Sequence, residues 1–130
     1  MWREPSISDI ADEVRQCLSS GDRAMAIRLA YRFVERYDRS SPDVREHMVS
    51  SAPDSTGNER FDALLAAVVE YSCAVHHVTP PRWVEHASRF LPQFWFVAEL
   101  PLLEAEALVS SPISFARRGI FINSGDLSYA

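Results

Sequence analysis

Residues 59–78 constrain this chain more than any other stretch. The segment is rich in alanine, leucine and valine, and it is apolar on nearly every side from Leu64 to Val69. A helix that is hydrophobic all round must sit at the centre of a fold or in an interface. The rest of the chain is therefore expected to pack around it. With 130 residues, one domain can bury a self-sufficient core. A hydrophobic fraction of 47% and a charged fraction of 24% match ordinary globular averages, so nothing in the composition argues against that.

The N-terminal third predicts a helical hairpin. Ser6 with Asp9 three residues on forms a weak capping box. Ile7, Ile10, Ala11, Val14 and Leu18 then recur at helical spacing. Gly21 suits a helix stop, and Asp22 suits the cap of a second helix over 23–37. That helix would bury Ala26, Leu29, Ala30, Phe33 and Tyr37. A loop this short folds two helices antiparallel. Ser41-Pro42 offers a third start, with a short helix over 44–49. The polar, breaker-rich stretch 50–58 reads as a mobile loop within one structure.

Beyond the central helix, Thr79-Pro80-Pro81 punctuates the chain, and Trp83, Ala87 and Phe90 are spaced as the stripe of another helix that Pro92 stops. Phe94-Trp95-Phe96-Val97 fits either a buried strand or a helical turn. Residues 102–109 read as helical. Ser111-Pro112 begins one more turn that Gly119 ends, and Ile120-Phe121-Ile122 reads as extended, followed by a turn over 124–127. The expected fold is all-α: a compact multi-helix domain over 1–130 with an N-terminal hairpin, a central apolar helix and a short extended C-terminal segment. Its parts are helices in 1–49, the loop 50–58, and a helical region over 59–130.

Charge and cysteine usage exclude some functions. The formal charge is −5, all thirteen basic residues are arginine, and both halves are mildly acidic. That disfavours nonspecific nucleic-acid binding, which needs a basic face. Cys17 and Cys73 lie far apart in helical patterns and are expected as free thiols. No apolar run approaches the length of a membrane-spanning helix, and residues 1–5 lack the apolar region of a signal peptide, so a cytoplasmic location is expected. On a helix, Cys73 and His77 would share a face, but His47 and His86 are isolated and no second ligand cluster accompanies them. No metal and no cofactor is expected.

Two arginine features remain. Arg28, Arg32, Arg36 and possible company from Arg39 form a stripe that could dock a nucleic-acid backbone or an acidic partner. It reads more simply as a solvated face balanced by Glu35 and Asp38, or as paired with Asp9, Asp12 and Glu13 on the first helix. Arg117-Arg118 beside Gly119 could grip a carboxylate or phosphate, or could satisfy the last helix carbonyls. Seven aromatics between positions 83 and 121 suggest core plus interface, since aromatics and arginine are enriched at binding hot spots. Arg117, Arg118, Phe115, Phe121 and Trp95 are accordingly the candidate partner-binding set. There is no glycine-rich phosphate loop, no nucleophile elbow and no zinc-protease helix. Glu104 and Glu106, two apart on a helix, point different ways and form no acid/base pair.

Residues 61–130 resemble a poorly characterised family of small actinobacterial proteins. The resemblance rests on Trp83, Phe90-Leu91, Phe94-Trp95-Phe96, Leu108, Ser111-Pro112, Phe115, Arg117-Arg118-Gly119-Ile120-Phe121-Ile122 and Asp126-Leu127. Such proteins occur alone, behind helix-turn-helix domains, or beside genes for nucleotidyltransferase-like proteins of toxin type. The resemblance implies a regulatory or antitoxin-like role and carries no catalytic residues. The expected function is a non-enzymatic interaction protein, plausible as the partner that neutralises such a toxin. A DNA-binding regulator and an enzyme of unrecognised type are the alternatives. A homodimer stays open.

Overall fold

The computed structural model describes residues 4–123 and 125–127. Residues 1–3, part of the stretch read above for a signal peptide, lie outside the described residues, as do Ser124 of the final turn and residues 128–130. The described residues form a mostly helical fold with six α-helices, three short 3-10 turns and one two-stranded sheet.

Local chemistry builds the N-terminal hairpin. Helix α1 spans Ile7–Ser19, and both halves of the Ser6–Asp9 capping box are made. Gly21 takes φ +79°, a conformation that glycine enters without a Cβ penalty, and its N–H reaches the Leu18 carbonyl. The Asp22 carboxylate then accepts from the Met25 N–H at 3.1 Å and opens α2, Arg23–Arg39. The two helices pack on each other. Ile7, Ile10, Ala11 and Val14 of α1 are buried with Ala26, Leu29, Ala30, Phe33 and Tyr37 of α2. Helix α3, Pro42–Val49, starts at the expected serine-proline pair and contributes Met48 to the core.

Helix α4, Glu59–Val75, is the axis. Every residue from Phe61 to Val69 is buried. It touches α1 and α2 on one side and, on the other, the turns and short helix that follow it. Burying a large aliphatic or aromatic side chain stabilises by about 1.5–3 kcal/mol, so this helix collects much of the driving force for folding. It stops three residues before the expected end. His77 takes φ +57°, its N–H reaches the Ala74 carbonyl at 3.1 Å, and the Val78 N–H reaches the Cys73 carbonyl at 2.8 Å. This is a Schellman stop, and the prolines that follow cannot continue a helix.

One sequence expectation is sharpened here and one fails. Residues 50–58 carry neither helix nor strand, as a loop should, yet they are fastened at several points. Pro53 and Thr56 are buried, and the carboxylate of Asp62 accepts from the Ser55 hydroxyl, the Thr56 N–H and the Thr56 hydroxyl at 2.6–2.8 Å. Arg15 donates to the Ser55 carbonyl, and buried Arg89 donates to the carbonyls of Pro53 and Asp62. The polar residues that marked a loop are the ones that fasten it. Trp83, Ala87 and Phe90 do not share a helix. Trp83 and Ala87 lie on two 3-10 turns, Arg82–Glu85 and Ala87–Arg89, separated by His86 in an extended conformation, and Phe90 follows the second as an extended residue. The His86 ring accepts the Ser88 N–H at 3.1 Å, which caps the second turn and interrupts the first. Trp83 is held instead by its indole N–H on the Val49 carbonyl at 2.9 Å.

Phe94-Trp95-Phe96-Val97 resolves as extended. Strand β1, Trp95–Phe96, pairs in parallel with β2, Ile120–Phe121, in the register Trp95 with Ile120 and Phe96 with Phe121. Parallel neighbours need a crossover connection. Here it runs through a 3-10 turn at Pro101–Leu103, helix α5 at Glu104–Ser110 and helix α6 at Ile113–Ala116. Gly119 ends that crossover at φ +82°, where its carbonyl accepts from the Trp95 N–H at 2.8 Å.

Candidate interaction surface

The paired arginines form a corner inside the fold. Arg118 is 0% exposed. Its guanidinium donates to the Ser114 carbonyl at 2.7 Å, to the Val84 carbonyl at 2.8 Å and to the Glu70 carboxylate. Arg117 sits outside it and forks twice, onto both Glu70 oxygens at 2.9 and 3.0 Å and onto both Glu85 oxygens at 2.7 and 2.8 Å. Both guanidiniums lie against the Phe90 ring, at 4.8 Å for Arg118 and 5.1 Å for Arg117. Three elements remote in sequence, α4, the first turn after it and α6, are thus tied by one charge network.

This corrects the candidate docking set. Arg118 and Phe115 are fully enclosed, Trp95 and Phe121 are buried, and Arg117 is spent on two glutamates. The physical reason lies in the short α6. One helical turn followed by a left-handed glycine aims Phe115 and Arg118 inward at α4. The Arg118 contact with the carbonyl four residues back is the helix-end role weighed above. Trp95 packs at a tilt against Phe61 with ring centroids 5.4 Å apart, and the Arg23 and Arg60 guanidiniums lie over its ring at 5.6 and 5.5 Å.

The network sets its own protonation. Hydrogen bonding from Arg117, more than burial opposes it, holds the Glu85 carboxyl below its usual 4.5. The same contact raises Arg117, whereas burial lowers Arg118 against the pull of Glu70. A carboxylate with a depressed folded pKa adds stability above its unfolded value, and that stability is lost as pH falls through the folded pKa. Glu85 is more than half exposed, so its share is under about 1 kcal/mol. Thermal melts should therefore place Arg117→Met below the wild type at pH 7, with the gap narrowing as pH drops below 4.5. A gap of constant size across that range refutes the assignment.

The other sequence candidates are placed as follows. Arg28 and Arg32 of the stripe are exposed, Arg36 is half-buried, and Arg39 pairs with Glu35 at 2.8 Å. On α1, Asp12 pairs with Arg15, and Asp9 is held in its own cap. Cys73 and His77 do not share a helix face, because α4 ends between them. The Cys73 thiol is buried 3.6 Å from the Tyr37 hydroxyl, and burial pushes both groups up. His76 reaches Asp38 at 2.8 Å. Among the described residues, no three His, Cys, Asp or Glu side chains gather as metal ligands. No helix among them is long and apolar enough to cross a membrane.

The sequence reading missed the crossover. Leu102 is 97% exposed, Val109 86% and Ile113 74%, with Phe94, Leu100 and Leu108 at least half exposed. On α5 the pattern is inverted: Ala107 faces in while Leu108 and Val109 face out. Leu102 in the turn before α5, and Ala105 and Val109 at i and i+4 on α5, are all exposed. On the other side of α5 lies a shallow surface dent with no room for a water molecule. The aromatic rings of Phe96 and Phe121 form one wall and Leu100, Leu103 and Ala107 the other. Small-molecule sites usually occupy roughly 300–1,000 Å³, and this dent is not a cavity of that kind. One signal was present in the sequence. Residues 100–113 hold more large apolar side chains than one helical face can bury.

No family model, no curated protein and no solved structure matches the chain.

Proposed function

We propose that this chain is a non-enzymatic interaction protein, the antitoxin-like partner that neutralises a nucleotidyltransferase-like toxin by direct binding. The observation that carries the reading is the inverted amphipathicity of the crossover, where Leu102, Val109 and Ile113 face solvent while alanine faces the core. A large exposed apolar group is costly on a free surface and useful when a partner covers it. The resemblance of residues 61–130 to the small actinobacterial family adds the class of partner. Inhibition in this reading is steric. The crossover seats on the toxin beside its nucleotide pocket, and the Arg117–Arg118 corner braces the seat from within by holding α6 to α4.

Co-expression with a neighbouring nucleotidyltransferase gene tests it. The two chains should co-elute, and growth should be rescued. Leu102→Asp with Val109→Asp should abolish both, while the circular dichroism spectrum stays that of the wild type, because both side chains are exposed. Separate elution of the wild-type chains without rescue sinks the proposal.

A further inference from the structure

Helix α2 carries positive charge that the fold does not neutralise. Arg28, Arg32 and Arg36 recur at every fourth residue and so run along one side of the helix. At steps of about 6 Å they make a row about 12 Å long. Arg28 and Arg32 are exposed and Arg36 is half-buried. The carboxylates nearest in the sequence and on α1 are engaged elsewhere. Glu35 pairs with Arg39, Asp38 with His76 and Asp12 with Arg15, and Asp9 accepts the Ser6 N–H in its cap. Among the described residues, no ion pair joins Glu13 or any other carboxylate to the three guanidiniums. Arg45, Arg89, Arg117 and Arg118 show the contrast, since each donates to at least two oxygens of the chain. A place in the last turn suits Arg36 and Arg39 to the helix dipole, but Arg28 and Arg32 stand in mid-helix. Like charges four residues apart repel, so the row opposes the free helix and gains no contact within the chain.

We infer that this side of α2 receives a short acidic segment of a protein partner, with carboxylates spaced to meet the three arginines. The site is separate from the crossover and does not rest on the antitoxin reading. A guanidinium takes a carboxylate through two parallel hydrogen bonds, so three in a row give register as well as attraction. Length selects the occupant. Asp22 precedes the row and Asp38 follows it, so the positive stretch is bounded at both ends. A nucleic-acid strand or an anionic membrane carries its charge well past that length, over a chain whose net charge is −5. A peptide segment with a few carboxylates ends where the arginines end. A second copy does not fit by two-fold symmetry, which would set the row against itself.

The test uses the full chain and two synthetic helical peptides of equal length, with glutamate at every fourth position in one and glutamine in the other. Fluorescence anisotropy should show the glutamate peptide binding at least about tenfold tighter, the sum of three modest exposed ion pairs. That difference should shrink as salt rises. Arg32→Glu should weaken the glutamate peptide about fivefold or more, with the circular dichroism spectrum of the wild type, because the side chain is exposed. Arg82→Glu changes the net charge equally, at an exposed arginine on the first 3-10 turn, and should weaken the peptide less than about twofold. Equal losses in the two variants reveal a diffuse attraction and overturn the inference. Equal affinity for the two peptides overturns it as well. So does a thymidine oligonucleotide or a phosphatidylserine vesicle that binds more tightly than the glutamate peptide and is lost in Arg32→Glu, which assigns the row to a polyanion. None of these outcomes bears on the crossover, which Leu102→Asp with Val109→Asp tests by itself.

Discussion

Arg118→Ala should destabilise the protein by about 3–4 kcal/mol, lowering its melting temperature by on the order of 10 °C. The substitution takes a guanidinium out of a fully enclosed site. It leaves the carbonyls of Ser114 and Val84 without their donor, and it strips Glu70 of one of two partners. An enclosed polar group without a partner costs its full desolvation, which is why removal exceeds the modest net worth of each bond. Arg117→Ala should cost about 1 kcal/mol or less, because its side chain keeps contact with water and solvent can replace its carboxylates. Arg118→Lys should fall between them, since an ammonium cannot fork to three acceptors held in this geometry. A pair of adjacent arginines used for docking would instead give two stable proteins and a lost partner. Urea unfolding of the three variants decides the matter. Arg118→Ala unfolding at the wild-type midpoint defeats the internal role.

Asp62→Ala should cost about 2–3 kcal/mol and release the 50–58 segment to proteolysis. The carboxylate is buried at the first turn of α4, where it takes three hydrogen bonds from Ser55 and Thr56. Without it the Thr56 N–H is enclosed with no acceptor. Arg89, which bonds both the Pro53 and the Asp62 carbonyls and lies 4.9 Å from the Trp83 ring, and Arg15 then anchor a segment that has lost its central fastening. Limited digestion should show new cleavage between Ala52 and Asn58 in the variant. Digestion identical to the wild type, with an unchanged melting temperature, removes Asp62 from this role.

Much of the fold was legible from local signals. The Ser6–Asp9 box, Gly21, Asp22 and the stripe from Ala26 to Tyr37 each act over a few residues, and all of them do so as expected. The buried centre of α4 was legible for a related reason, since a helix apolar on every side has nowhere else to go. The failures have different causes. Asp62, six and seven residues on, and Arg89, far along the chain, fasten a segment full of serine and proline that looked loose by itself. Phe90 and Trp83 had helical spacing, yet His86 captured the Ser88 N–H and broke the turn.

The candidate site divides the same way. That the chain carries two adjacent arginines, a surplus of apolar side chains in 100–113 and no basic residue from 90 to 116 is written in the sequence. Which arginine is enclosed, and which leucine is bare, is not. Those facts depend on the parallel pairing of Trp95–Phe96 with Ile120–Phe121, which sets the crossover across the sheet and turns α6 inward and α5 outward. Helical periodicity tells which residues lie on one side of a helix. It does not tell which side meets the core, because that depends on where distant backbone lies. For α1, α2 and α4 the apolar surface left one orientation open, and local pattern was enough. For α5, with apolar residues on more than one side, only the closed fold decided that alanine would be buried and Leu108 and Val109 left exposed.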